Sequence, residues 1–380
     1  MIKKYWFIVT FVLILFVPMF CGNYNANISK DENRTLAKLE PLFTNCDGKS
    51  SFTENWNIIF EKWFEDRVGF RSKSIKIISE FRYYVFHDLM KEEWITGKEN
   101  QWFYEDENRV LLREYQNIEL PTEENMKKMC EVLSKLDTQL SERGCEFIVM
   151  MAPFKDNVYP EYMLDSIHRI GLMSRAEIIY QYVVENTSLD WIYMTGLLQN
   201  NKEDPYPVFN AKYDVSHWSQ YGAYLGYKEL MKHIQVNDPE VYIIDEENIF
   251  FTKEKIRETF YGSFTYDDII PVWHYKQQGE LSLSHEKPDE LSMDTSLFWH
   301  YTNKNTDVEG KKILICGDSM IYLFILPLIA ESYEETYLVH THTQYLNKWI
   351  DFIKPECVVK EGAERVGISY NDSYNLDIES

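Results

Sequence analysis

Apolar and polar positions alternate between helical and strand-like spacing along most of the chain after residue 120. Apolar residues recur at helical spacing from Met126 to Leu140, and residues 145–153 then form a continuous apolar run typical of a buried strand. The same alternation continues through residues 174–194 and again through residues 313–360. Repeated helix–strand units favour a mainly parallel sheet, so we expect an α/β fold over residues 121–380.

Two stretches depart from this pattern. Residues 239–310 are polar and irregular, which predicts an insertion of short strands and loops. Residues 51–90 are rich in aromatic residues at helical spacing, with Gly69 between two predicted helices, and residues 94–107 resemble a hairpin. We expect the apolar stripes of the two helices to pack on a core; the stripes are Phe60, Trp63 and Phe64, and Ile75, Ile78 and Phe81.

The N-terminus has the pattern of a targeting segment. Two lysines precede an uncharged run from Tyr5 to Cys21, so we expect residues 1–21 to be an uncleaved membrane anchor whose N-terminus stays in the cytoplasm. A cleaved signal peptide is the alternative. In both cases residues 22–120 would form a tether and helical extension outside the cytoplasmic membrane, followed by the α/β domain at 121–380.

Composition narrows the classes of function. The formal net charge of −22 argues against nucleic acid, and against anionic membrane surfaces, as binding partners. The six cysteines include no Cys-x-x-Cys pair, so a zinc or thioredoxin-type site has no support. His340 and His342 share a predicted strand face, but no further ligand accompanies them at useful spacing. The sequence therefore predicts neither a metal nor a cofactor.

The first candidate for chemistry is the serine of Gly317-Asp318-Ser319. An apolar run, Ile313 to Cys316, ends abruptly in this triplet, which predicts a buried strand followed by a tight turn that presents Ser319. Gly317 is suited to the backbone angles of such a turn. A serine at the carboxyl end of a central strand is well placed to attack a substrate, although an ordinary strand-to-helix turn has the same pattern.

The second candidate is the pair Asp214 and His217, which precedes a helix that Ser219 is expected to cap. On a single turn both side chains can point to one side. The carboxylate would then orient one imidazole nitrogen, while the other nitrogen takes the proton of a serine hydroxyl. A helix-capping aspartate beside a packed histidine is the alternative reading of this spacing.

Together these motifs resemble the SGNH (GDSL-type) hydrolase family, in circularly permuted order with the Asp-His pair before the serine. That order is similar to the extracytoplasmic branch of alginate O-acetylation proteins and DHHW-type proteins of bacteria. Close members of this branch carry an acid two positions before the histidine, where this chain has Val215. Further motifs in the expected order lie at residues 31–34, 60–71, 97–104, 152–161, 217–227 and 354–365.

The resemblance implies a three-layer sandwich around a mainly parallel sheet and a triad of Ser319, His217 and Asp214. It implies an extracytoplasmic O-acetyltransferase that modifies an exported polysaccharide or cell-wall glycan through an acetyl-serine, with a membrane-bound acyltransferase as acetyl supplier. A carbohydrate acetylesterase and a non-catalytic glycan-binding or assembly protein are the alternatives. Candidate substrate contacts are Lys155, Tyr159, Trp218 and Arg365.

Overall fold

The structure is a computed structural model that describes residues 2–29, 34–46, 49–106, 110–202, 205–244, 246–291, 297–364, 368, 370 and 374–376. The chain divides into two compact units. The first contains residues 1–90 and 257–267, and the second contains residues 91–256 and 268–380.

Helices lie between the successive strands over residues 123–200 and 312–363 of the second unit, as the hydrophobic pattern predicts, whereas the described part of residues 249–303 contains four strands with no α-helix between them. The helices are α1 Ile2–Phe20, α2 Trp56–Glu65, α3 Arg71–Phe86, α4 Val110–Tyr115, α5 Glu123–Ser141, α6 Lys155–Val158, α7 Arg175–Asn186, α8 Thr195–Asn200, α9 Gln220–Asn237, α10 Leu326–Ala330 and α11 Leu346–Ile353. The strands are β1 Ile28–Ser29, β2 Arg34–Thr35, β3 Phe43–Cys46, β4 Lys49–Phe52, β5 Trp94–Thr96, β6 Trp102–Tyr104, β7 Glu146–Ala152, β8 Asp190–Tyr193, β9 Ile249–Phe260, β10 Phe264–Tyr275, β11 Leu281–Ser284, β12 Phe298–Asn303, β13 Lys312–Gly317, β14 Glu335–His340 and β15 Cys357–Ala363.

The second unit is built on a sheet whose described strands have the order β11-β12-β14-β13-β15-β7-β8. The five strands from β14 to β8 are parallel to their neighbours, and β11 and β12 join the β14 edge in antiparallel orientation. This arrangement confirms the predicted α/β fold with a mainly parallel sheet. It also brings the carboxyl ends of β13, β15 and β7 to one edge, where ligand sites of such sheets form.

Strand β7 shows why the sheet is covered on both faces. Its side chains alternate between two hydrophobic clusters, Ile148 and Met150 on one side and Phe147 and Val149 on the other. Helices α9 and α10 contribute to the first cluster, and α5, α7 and α11 contribute to the second. The result is a three-layer sandwich, in which a strand buried on both faces reads as one continuous apolar run.

Local signals placed the helix starts correctly. Thr122 accepts a hydrogen bond from the Asn125 N–H at the start of α5, and Ser174 forms a capping box with Glu177 at the start of α7. The helical segment after the turn that carries Ser319 has no such cap. Residues Ile321–Ile325 form a π-turn, and the α-helix follows only from Leu326.

The expectation of short, irregular strands at residues 239–310 is wrong in part. The segment contains a hairpin of two 12-residue strands, β9 and β10, and it also contributes β11 and β12 to the central sheet. Most side chains along β9 are partly or fully exposed, so its sequence lacks the apolar alternation that marks a half-buried strand.

The first unit contains α1, α2 and α3, with a turn at Gly69 between α2 and α3 as predicted. We find no helix within the described ranges that has both the length and the apolar character needed to cross a membrane. The predicted anchor at residues 1–21 is therefore not supported.

Candidate active site

Ser319 lies at the carboxyl edge of the central sheet, two residues after β13 ends at Gly317. The turn brings Gly317 close to β15. A Cβ atom at Gly317 would lie 3.0 Å from Glu361 Oε2 and 3.3 Å from Ile315 Cγ2. Glycine at this position is favoured by the close approach of these side chains and not by a left-handed backbone, because Gly317 is absent from the glycines with positive φ.

Asp318 fixes the conformation of the turn. Its carboxylate accepts hydrogen bonds from the backbone N–H groups of Met320 and Ala363, both at 2.9 Å. Its own N–H donates to Glu361 Oε2 at 2.8 Å. Side chain and backbone of Asp318 therefore tie the turn that carries Ser319 to the end of β15.

The loop before α9 carries Asp214 and His217. Ser219 ends this loop as the N-cap of α9, and its hydroxyl accepts from the Gly222 N–H at 3.1 Å. Asp214 has a φ of 45°, in the left-handed region. The His217 N–H donates to the Asp214 carbonyl at 3.3 Å, which closes a single turn and turns both side chains the same way.

The two segments meet at His217. Its Nδ1 lies 2.6 Å from Asp214 Oδ1, and its Nε2 lies 2.8 Å from Ser319 Oγ, across 102 residues of sequence. All three side chains are partly exposed, so a substrate can reach the hydroxyl. A hydroxyl on one imidazole nitrogen and a carboxylate on the other is an arrangement that can activate a serine as nucleophile.

Trp218 lies beneath this contact and is fully buried. Its indole N–H donates to the Met320 carbonyl at 3.0 Å, and its ring packs against Gly226. The predicted contact of Trp218 with a sugar face is wrong, because no face of the ring reaches solvent. The residue connects the His217 loop to the Ser319 turn.

Lys155 and Tyr159 are also buried, so neither offers the substrate contact predicted for it. The Lys155 ammonium donates to the carbonyls of Trp102, Asn210 and Ala211 at 2.6–3.0 Å, and burial lowers the pKa of Lys155 well below its usual value. The Tyr159 hydroxyl accepts from the Val208 N–H. Both side chains hold the segment that leads to Asp214.

Arg365, the last predicted contact, lies outside the described residues. His340 and His342 flank Thr341, whose N–H donates to the carbonyl of Gly317, two residues before Ser319, at 2.9 Å. Burial, followed by the neighbouring His340, lowers the pKa of His342. Within the part of the chain that the structure describes, no three His, Cys, Asp or Glu residues are grouped as metal ligands.

Sequence reasoning missed Glu361. Its side chain is fully buried, and burial together with the Asp318 charge raises the pKa of Glu361 well above its usual value. A neutral Glu361 avoids a second buried negative charge beside Asp318. The available signal was the pair of ionisable residues, Lys360 and Glu361, inside the otherwise apolar strand β15.

Glu364, at the end of β15, is a second buried carboxyl that the sequence did not single out. It accepts hydrogen bonds from the Phe154 N–H, the Asn157 amide and the Thr195 hydroxyl. Burial raises the pKa of Glu364 to about 7. Its partners come from the ends of β7 and β8, so Glu364 joins three neighbouring strands at the edge of the sheet that carries the site.

Comparison with known proteins agrees with this architecture. The family model described as the SGNH hydrolase-like domain of the acetyltransferase AlgX matches residues 95–273. This match confirms the resemblance expected from the motifs. The matched range contains Asp214 and His217, and Ser319 lies beyond its end. No curated protein sequence matches the chain.

Several solved structures are similar at low identity. Bacillus cereus PatB1 is 15% identical, with a TM-score of 0.49, over 74% of this chain and 98% of PatB1. The O-acetyltransferase domain of Pseudomonas putida AlgJ is 14% identical, with a TM-score of 0.47, over 73% of this chain and 94% of that domain. A DHHW family protein from Eubacterium siraeum is 13% identical, with a TM-score of 0.46, over 64% of this chain and 87% of that protein.

Proposed function

Because residues 95–273 match an SGNH hydrolase-like domain, we propose that this protein is an O-acetyltransferase that acts outside the cytoplasm on an exported polysaccharide or cell-wall glycan. One observation carries the proposal. The imidazole of His217 contacts the Ser319 hydroxyl through Nε2 and the Asp214 carboxylate through Nδ1. That arrangement supports acyl transfer through a serine nucleophile.

In the first half-reaction, Ser319 Oγ attacks the carbonyl carbon of an acetyl ester while His217 Nε2 takes the hydroxyl proton. The Asp214 carboxylate stabilises the imidazolium that forms. Collapse of the tetrahedral intermediate breaks the bond to the leaving oxygen, which takes the proton from His217 and leaves as an alcohol. The product is acetyl-Ser319. The Ser319 backbone N–H is the expected donor to the oxyanion.

In the second half-reaction, a sugar hydroxyl attacks the acetyl-serine carbonyl, and His217 takes its proton. Collapse then releases the acetylated glycan and returns the proton to Ser319 Oγ. Water in place of the sugar gives free acetate, which is the esterase alternative. The two reactions share every residue, so they differ only in which acceptor reaches the acetyl-serine.

The acetyl donor in this proposal is supplied by a membrane-bound acyltransferase, which the family resemblance implies. Such a partner would deliver activated acetyl groups outside the cytoplasm, where Ser319 needs an acetyl donor. A soluble chain acting alone on acetylated sugars would fit the esterase alternative instead.

The proposal is tested with the purified chain and a chromogenic acetyl ester. Ser319→Ala should lower turnover by at least about 10³-fold, because the nucleophile is lost. Ser282→Ala is the matched control, since Ser282 lies on β11 at the far edge of the sheet. Mass spectrometry of the wild type should also detect an acetyl group on Ser319. Equal turnover in wild type and Ser319→Ala would favour the non-catalytic alternative.

A second measurement separates transfer from hydrolysis. With acetyl ester and a glycan acceptor present, O-acetylated glycan is the expected product and should be absent with Ser319→Ala. Free acetate alone, across acceptors that include neutral polysaccharides and cell-wall fragments, would identify an esterase.

A further inference from the structure

Helix α3 turns an apolar face toward solvent. Its buried residues are Ser79 and Tyr83, and Tyr83 stacks on Phe264 of the same unit at a ring-centroid distance of 4.5 Å. Six large apolar side chains are each more than half exposed: Ile77, Ile78, Phe81, Tyr84, Val85 and Phe86. The expectation that Ile78 and Phe81 pack on a core is therefore wrong.

Five of the six exposed residues form one stripe along the helix. Positions 77, 81 and 84 follow the spacing of a single helix face, and 78 and 85 lie beside them. The stripe is opposite the face that carries Ser79 and Tyr83. An exposed apolar stripe of this size marks a binding surface.

The charges on α3 are opposite in sign to those of the whole chain. Arg71, Lys73, Lys76 and Arg82 against Glu80 give residues 71–86 a formal charge of +3, whereas the chain carries −22. Helical geometry at about 3.6 residues per turn places Lys73 at one border of the stripe and Arg82 at the other. Arg82 also pairs with Asp88. Lys73 and Arg82 thus place one basic side chain at each border of the stripe, with Glu80 beside Lys73.

A second exposed apolar helix adjoins α3 in the same unit. Residues of α1 from Tyr5 to Phe20 are largely exposed, Trp6 and Phe7 to 70% and 77%. The Gly69 N–H donates to the Pro18 carbonyl at 2.8 Å, just before α3 begins. A Cβ at Gly69 would lie 2.6 Å from Cys21 Cβ, so the end of α1 and the start of α3 are in close contact.

We propose that α3, adjoined by α1, binds the headgroup–acyl boundary of an anionic phospholipid bilayer. Aliphatic and aromatic residues on one face with lysine and arginine at its borders are typical of helices that lie in this boundary. The positive borders complement anionic headgroups. The expectation that the net charge of −22 disfavours anionic membrane surfaces does not extend to this face of α3, because charges beyond about 8 Å are screened at physiological ionic strength. This surface binds independently of the chemistry proposed for Ser319.

The test follows the environment of α3 itself, since α1 alone can bring the chain to lipid. A polarity-sensitive fluorophore is attached at Phe81→Cys in the full chain, with Cys21→Ser and Cys46→Ser to remove other labelling sites. Leu172→Cys, at a fully exposed position of the second unit, is the matched control. Vesicles contain phosphatidylcholine with or without about one third phosphatidylglycerol.

Anionic vesicles should shift the emission maximum of the probe at position 81 to shorter wavelength and increase its fluorescence intensity several-fold. The probe at position 172 should show no change. Raising NaCl from about 0.1 to about 1 M, which shortens the screening length from about 10 to about 3 Å, should weaken this response. Lys73→Glu with Lys76→Glu should weaken it at least about 10-fold.

Three results would overturn the proposal. In a flotation gradient the chain could rise with the vesicles while the emission of the probe at position 81 stays unchanged. That result would assign lipid binding to α1 alone. An equal response to phosphatidylcholine would remove the role of charge. A response that requires membranes containing integral proteins, and not lipid vesicles, would assign the stripe to a protein partner.

Discussion

Trp218 donates its indole N–H to the Met320 carbonyl at 3.0 Å, and this bond joins the residues that directly follow His217 and Ser319. The contact between imidazole and hydroxyl therefore has a second, buried contact beneath it. The loop with His217 and the turn with Ser319 are 102 residues apart in sequence. The buried hydrogen bond therefore helps to keep the two side chains at hydrogen-bond distance.

Trp218→Phe tests this tie. The phenyl ring fills most of the space, but the Met320 carbonyl loses the indole as a donor, so kcat for the acetyl ester should fall by about 10- to 100-fold with KM little changed. The free energy of unfolding should fall by about 1 kcal/mol or more for the lost buried hydrogen bond. Trp349→Phe, equally buried in the other layer, should lose stability without the kcat effect. Parallel losses of kcat in both variants would assign Trp218 to packing alone.

Asp214→Asn tests the acid of the triad. Asparagine tolerates the left-handed backbone at this position, so the fold should be unaffected. Loss of the carboxylate that orients His217 should lower kcat/KM by about 10³- to 10⁴-fold. Asp165→Asn, at a highly exposed site, serves as the control. Retained activity in Asp214→Asn would mean that His217 works without this acid.

Glu361→Gln tests whether the Ser319 turn depends on a neutral side chain at β15. An amide can still accept from the Asp318 N–H and can donate toward the Asp318 carboxylate, so activity should stay within about 3-fold of wild type. Glu361→Leu leaves the Asp318 N–H without its acceptor, and kcat should fall by at least about 10-fold.

The pH dependence of stability separates the wild type from Glu361→Gln. The pKa of Glu361 is raised in the folded state, so the carboxyl contributes stability below its unfolded pKa and loses it as pH rises. Unfolding free energy of wild type should therefore fall relative to Glu361→Gln as pH increases. If Glu361→Gln were as inactive as Glu361→Leu, the acidic proton itself would be required.

Glu364→Gln should change the pH dependence of stability without removing a site residue. Burial raises the pKa of Glu364 from its ordinary value near 4.5 to about 7. The folded state then holds a proton that the unfolded state releases, so wild type should lose on the order of 3 kcal/mol between pH 4.5 and 7 from this group. Denaturant unfolding at several pH values should show a flatter profile for Glu364→Gln. Identical profiles would contradict a neutral Glu364.

Local sequence signals predicted the framework of the site. The apolar run ending in Gly317-Asp318-Ser319 predicted the strand and turn, and the spacing of Asp214 and His217 predicted one turn with both side chains on one side. The Thr122 and Ser174 caps fixed two helix starts. These features depend on residues a few positions apart, so the local pattern carries them.

The predicted roles of other side chains depended on their contacts in the folded protein. Those contacts are made with residues that are distant in sequence. Nothing near Lys155 indicates that it donates to three backbone carbonyls. A tryptophan at position 218 could stack on a sugar ring or pack in the interior. The burial of Trp218 shows that it packs in the interior. The apolar stripe of α3 has the spacing of a core face, yet no described core covers it.

The sequence by itself determined the alternation of helices and strands, the turn that carries Ser319 and the order of the motifs, because periodicity and turn chemistry act over a few residues. The tertiary structure decided that His217 lies 2.8 Å from Ser319, that Glu361 and Asp318 form a buried pair, and that α3 faces outward. Those relations arise where parallel strands align the ends of segments far apart in the chain, and no local pattern specifies them.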